Sequence, residues 1–132
     1  MKNLLVITLA LLMVISCKKQ PSNISPLAGK WELKAAIDGL TGTKKVVASG
    51  KGNTFIFTDK EYEKREDGKV VKTGSYSIKA FTSMITGRQE KQILFDGRES
   101  ETKNYFTINH DTLTLSLDAY DASSTIYVKI PN

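Results

Sequence analysis

The stretch Tyr105–Leu117, YFTINHDTLTLSL, decides the fold class. Phe106 and Ile108 alternate with Tyr105 and Thr107, and Leu113, Leu115 and Leu117 alternate with Thr114 and Ser116. Successive side chains of a strand point to opposite faces, so strict alternation marks a strand with one face buried. Asn109-His110-Asp111 separates the two runs and reads as a tight hairpin.

The same period of two extends outward in both directions. Trp31, Leu33, Ala35 and Ile37 alternate with Glu32, Lys34 and Ala36. Phe55 and Phe57 alternate through Thr54–Thr58, and Val70, Tyr76 and Ile78 share a parity across Lys69–Lys79. Ile93 and Phe95 do so in Lys91–Asp96, and Ile126, Val128 and Ile130 alternate with Tyr127 and Lys129. No segment has a helical period, apart from a short turn near Ser25–Ala28. With Glu61–Glu66 included, about eight strands are expected.

Turn chemistry supports this reading. Asp67-Gly68 lies between two strand-like runs, where glycine supplies the positive φ of a primed turn. Asp96-Gly97 opens a polar loop to Lys103, and Asp118–Ser123 is the last connection. Two connections are longer: Asp38–Asn53, with four glycines, and Ala80–Glu90. A meander joined mostly by hairpins closes into an all-β, eight-stranded antiparallel up-and-down barrel, which also removes edge strands. Two packed sheets are the alternative.

The first sixteen residues are of another kind. Lys2 supplies a positive start, and Leu4–Ile15 is an apolar run broken only by Thr8. Spanning a bilayer needs about 20 apolar residues, so residues 1–16 read as a cleaved signal peptide. Val14-Ile15-Ser16-Cys17 resembles the lipobox of bacterial lipoproteins. That resemblance implies export, with Cys17 lipidated and N-terminal after processing, and a membrane partner through the acyl chains. An ordinary cleaved signal that leaves a free thiol is the alternative. Lys18-Lys19 lacks the aspartate associated with inner-membrane retention, so the expected location is the cell envelope, at the outer membrane.

Cys17 is the only cysteine, so lipidation leaves no disulfide within the chain. Residues 17–26 form a lipidated cysteine and polar tether. Nine extended residues reach roughly 30 Å. Residues 27–132 form one domain, able to bury roughly two thirds of its unfolded surface. The net charge of +5 suits solubility and the neighbourhood of anionic lipids. An exported protein is not expected to meet nucleic acid.

Gly29-Lys30-Trp31 opens the first strand and resembles the Gly-x-Trp opening of lipocalins, where the tryptophan closes the base of an eight-stranded barrel. Gly74-Ser75-Tyr76-Ser77-Ile78 and Tyr105–Leu117 resemble later strands of lipocalin-like domains in bacterial lipoproteins. The resemblance runs from Leu27 to the C-terminus. It departs from the family in three ways: the Thr-Asp-Tyr motif is absent, no helix follows the last strand, and no arginine there covers Trp31. Lys129 is placed to substitute for that arginine.

An eight-stranded barrel is just wide enough to be filled by side chains or to hold one small ligand. The inward candidates are Trp31, Leu33, Ile37, Phe55, Phe57, Tyr62, Val70, Tyr76, Ile78, Ile93, Phe95, Phe106, Ile108, Leu113, Leu115, Leu117, Ile126, Val128 and Ile130. So many large side chains imply a mostly filled interior with a shallow pocket at one mouth, rimmed by the two long connections. The candidate ligand-binding residues are Trp31, Phe55, Phe57, Tyr76, Phe95 and Phe106.

Catalytic chemistry is sparse. The single histidine, His110, falls in a hairpin turn, and no familiar metal-ligand spacing, nucleophile elbow or glycine-rich phosphate loop occurs. The charged run Lys60–Lys69, KEYEKREDGK, reads as a solvated hairpin with Tyr62 its only large inward side chain. The expectation is a protein that is not an enzyme and needs no cofactor or metal. It binds a small apolar ligand or lipid at the barrel mouth. The alternative is a protein-interaction module, an inhibitor or accessory subunit of an envelope complex, with a filled barrel.

Overall fold

A computed structural model describes residues 24–132. The signal segment 1–16, Cys17 and tether residues 18–23 lie outside the described residues. Nine strands follow in order: β1 (Gly29–Ile37), β2 (Lys44–Val46), β3 (Thr54–Phe57), β4 (Glu61–Glu66), β5 (Lys69–Thr82), β6 (Gln89–Phe95), β7 (Asn104–Asn109), β8 (Thr112–Leu117) and β9 (Ser124–Ile130). No helix occurs among the described residues. Each of β3 to β8 pairs antiparallel with the next, and β1 pairs with both β3 and β9. The result is a closed eight-stranded antiparallel barrel with β2 as an extra strand, consistent with a lipocalin-like barrel.

The turns follow the local chemistry. Asp67 and Gly68 both take positive φ, 48° and 78°, as the hairpin between β4 and β5 requires. His110, at φ 53°, turns the chain from β7 into β8. The Ala28 amide donates to the Ser25 carbonyl, closing the expected turn ahead of β1.

That turn seats Leu27 against the closed end of the barrel. Leu27 is fully buried and Trp31 is 1 % exposed. The Trp31 Nε1–H donates to the Leu27 carbonyl at 2.7 Å, so the indole plugs the base without leaving its nitrogen unpaired. The Tyr76 hydroxyl donates to the Thr58 carbonyl at 2.6 Å and lies 2.5 Å from Ser25 Oγ. Phe57, Phe106, Ile93 and Leu113 fill the space above.

The long connection after β1 is organised by one carboxylate. Glu32 is buried, accepts from the Gly50 amide at 2.5 Å and pairs with Lys34. Lys34 Nζ also reaches Ser49 Oγ, so the loop before β3 is held against β1. β2 lies on the same side of β1 as β3.

Several expectations are corrected. In β9 the buried side chain is Tyr127, while Ile126, Val128 and Ile130 stand outside the core cluster and are half-buried. The register is the reason: Trp31 faces Lys129 and Leu33 faces Tyr127, so the odd residues of β9 share the inward face of β1. Val70 is half exposed because the register shift between Lys64 and Arg65 sets it opposite Arg65, on the outward face of the β4–β5 hairpin. Leu117 is 38 % exposed at the end of β8. The connection expected over Ala80–Glu90 is shorter, since β5 runs to Thr82 and β6 starts at Gln89.

Candidate binding site at the barrel mouth

The barrel is closed at the Trp31 end and open at the other. The opening follows from pairing: β6 and β7 share only the register pairs Lys91–Phe106 and Gln92–Tyr105. Beyond them Asp96 and Gly97, with φ of 55° and 67°, turn the chain away into the loop that returns at Asn104. A cavity of about 390 Å³ lies at this mouth, a volume at the lower end for small-molecule sites.

Its walls are mainly apolar. Phe55 and Tyr62 come from β3 and β4, Phe95 from β6, Leu115 and Leu117 from β8, and Tyr127 from β9. The aromatic rings form one connected wall. Phe55 stacks with Phe95 at 5.9 Å between centroids and meets Tyr127 edge-on at 6.0 Å. Tyr62 meets Phe95 edge-on at 4.8 Å. Such pairs stabilise the wall beyond the area they bury. Asn104, Ser116, Ser123 and Thr125 add polar groups, and Lys64 and Lys72 complete the lining.

The hydroxyl of Tyr62 is satisfied by Asp96, which accepts it at 3.1 Å and also accepts the Ser75 amide at 3.1 Å. Gly74 makes this possible: a Cβ there would come 1.9 Å from Asp96 Oδ1. Burial pushes the Tyr127 phenol above its ordinary pKa, and burial does the same to Tyr76 at the base. Both phenols therefore stay neutral near pH 7.

A second cavity, of about 350 Å³, adjoins the first through shared residues Lys64, Thr125 and Tyr127 and continues past Leu33, Asn53, Thr54 and Arg65. A depression of about 420 Å³ lies over β3 to β5, lined by Ile56, Thr58, Glu61, Glu63, Thr73 and Gly74 and by one edge of Tyr62. Its charged lining suits solvent.

The six ligand-binding candidates separate into two groups. Phe55 and Phe95 line the mouth cavity. Trp31, Phe57, Tyr76 and Phe106 belong to the buried core below it. Sequence reasoning missed Lys64, Lys72, Leu115, Leu117 and Tyr127 as lining residues. The signal for the lysines was present: Lys64 shares the parity of Tyr62, and Lys72 that of Tyr76. The expected rim is also different, since Asp38–Asn53 and Ala80–Glu90 contribute nothing to the lining of the mouth cavity.

His110 is exposed, with Nδ1 2.7 Å from the Asn109 side-chain oxygen. Among the described residues no group of three or more His, Cys, Asp or Glu side chains is placed to hold a metal ion. No family model, curated protein or solved structure matches the chain.

Proposed function

We propose that the protein is a lipid-anchored binding protein of the cell envelope, at the outer membrane, that holds a small apolar molecule or lipid at the barrel mouth and is not an enzyme. The observation that carries this reading is the mouth cavity, about 390 Å³, with Phe55, Phe95, Leu115, Leu117 and Tyr127 around it. A concave apolar site with a few convergent polar groups is the usual form of a small-molecule site. The N-terminal signal and the lipobox-like Val14–Cys17 support the location.

The test is extraction of the native full chain. Protein purified from membranes in amphipol is washed, extracted with organic solvent and analysed by mass spectrometry. A stoichiometric apolar compound is expected on the wild type and absent from Leu117→Trp, which fills the mouth. A wild-type protein that carries nothing, or the same lipids as the variant, contradicts the reading.

The interaction-module reading has one observation in its favour. Leu40 and Tyr120 are 76 % and 82 % exposed, on loops that meet where the Gly39 amide approaches Ser123 Oγ. Loss of a co-purifying partner in Leu40→Ser with Tyr120→Ser, with no bound compound in the wild type, selects this second reading.

A further inference from the structure

The geometry points to an amphipathic anion as the ligand of the mouth cavity, its charged head held between Lys64 and Lys72. This rests on the proposal that the mouth binds a small apolar molecule, and it adds the charge and the residues that read it.

Lys64 and Lys72 are direct register partners across β4 and β5, and both line the cavity. Directly opposed like charges destabilise a sheet, so two lysines paired across the strands favour an anion bound between them. The protein's own carboxylates compensate them unequally. Lys64 pairs with Glu66 at 2.7 Å, farther out along β4. Lys72 Nζ is 3.9 Å from Asp96 Oδ2, beyond hydrogen-bond distance, and that carboxylate already accepts from Tyr62 and Ser75. Lys72 Nζ instead stands 5.7 Å over the Tyr62 ring, at the edge of the aromatic wall.

Apolar body and charged head are therefore separated in space. Phe55, Phe95 and Tyr127 take the body, and the two ammonium groups take a carboxylate or phosphate by charge-assisted hydrogen bonds. A neutral apolar molecule adds nothing to offset the charge that Glu66 and Asp96 leave on the pair.

The test compares decanoate, decyl phosphate and decan-1-ol on the full chain in amphipol by isothermal titration calorimetry. The two anions are expected to bind at least about tenfold more tightly than the alcohol. Lys64→Gln and Lys72→Gln each remove most of that preference, weakening the two anions far more than decanol. Lys64→Arg and Lys72→Arg retain it, which separates charge from folding. The stronger of decanoate and decyl phosphate identifies the head. Equal binding of alcohol and anions, or glutamine variants that leave the preference intact, overturns the anion assignment while the apolar site stands. Binding of none of the three overturns both.

Discussion

Lys129 Nζ stands 5.3 Å from the centre of the Trp31 ring, across the β1–β9 pairing that closes the barrel. The two residues are direct register partners, so this contact joins the first strand to the last. It gives Trp31 a cationic cover at the base, in the place where the lipocalin resemblance expects an arginine. The same register turns Tyr127 inward and places it in the wall of the mouth cavity.

Removing the cover weakens the closure. Lys129→Ala loses the cation–π contact and the packing of the lysine stem, a loss of about 0.5–1 kcal/mol. Lys129→Met keeps the stem and recovers part of it. Denaturant unfolding, with the midpoints of both variants against wild type, checks the order wild type, Met, Ala.

The indole nitrogen anchors the turn that plugs the base. Trp31→Phe leaves the Leu27 carbonyl without its 2.7 Å donor in a buried site, at a cost of about 1–3 kcal/mol. Amide hydrogen exchange across residues 25–31 should speed up more than in β7 and β8. Uniform acceleration of both regions would mean that the turn is not the local weak point.

Gly74 is small because Asp96 reaches across it to Tyr62 and Ser75. Gly74→Ala displaces the carboxylate and frees the Tyr62 hydroxyl at the edge of the cavity. Stability should drop by more than for Ala substituted at exposed Ser75, measured by thermal unfolding. An unchanged melting temperature would show that Asp96 relocates freely.

Acid should loosen the turn after β5. Burial raises the Asp118 pKa, but the Ser83 hydroxyl, the Met84 and Ile85 amides and the Lys103 charge outweigh it and hold the carboxyl below 3.8. A carboxyl with a depressed folded pKa stabilises above its unfolded value and loses that contribution as pH falls through its folded one. Wild-type stability should therefore fall on acidification below about pH 4, and Asp118→Asn should show a shallower fall. Unfolding midpoints from pH 2 to pH 6 provide the comparison.

How much was legible in the sequence depends on the kind of information required. Alternation exposed the strands, and Asp67-Gly68 and Asn109–Asp111 exposed the hairpins, because these signals are local. The inward face of β9 was misread because Ile126, Val128 and Ile130 are more apolar than Tyr127 and Lys129. Only the register with β1 reveals that Trp31 requires the odd residues inside. β2 was missed because its three residues, Lys44–Val46, are all exposed and carry no burial pattern. Lys64 and Lys72 read as solvated charge because the Asp67-Gly68 turn alone would set Lys64 opposite Val71, and only the register shift after Lys64 pairs it with Lys72.

The most direct test of the mouth as a ligand site is methyl NMR of the full chain in amphipol during titration with decanoate. Leu115 and Leu117 line the cavity, whereas Leu27 is buried at the closed base. Saturable shifts are expected at Leu115 and Leu117 with Leu27 unmoved if decanoate binds at the mouth. Shifts confined to Leu27, or none at Leu115 and Leu117 at saturating decanoate, would contradict it.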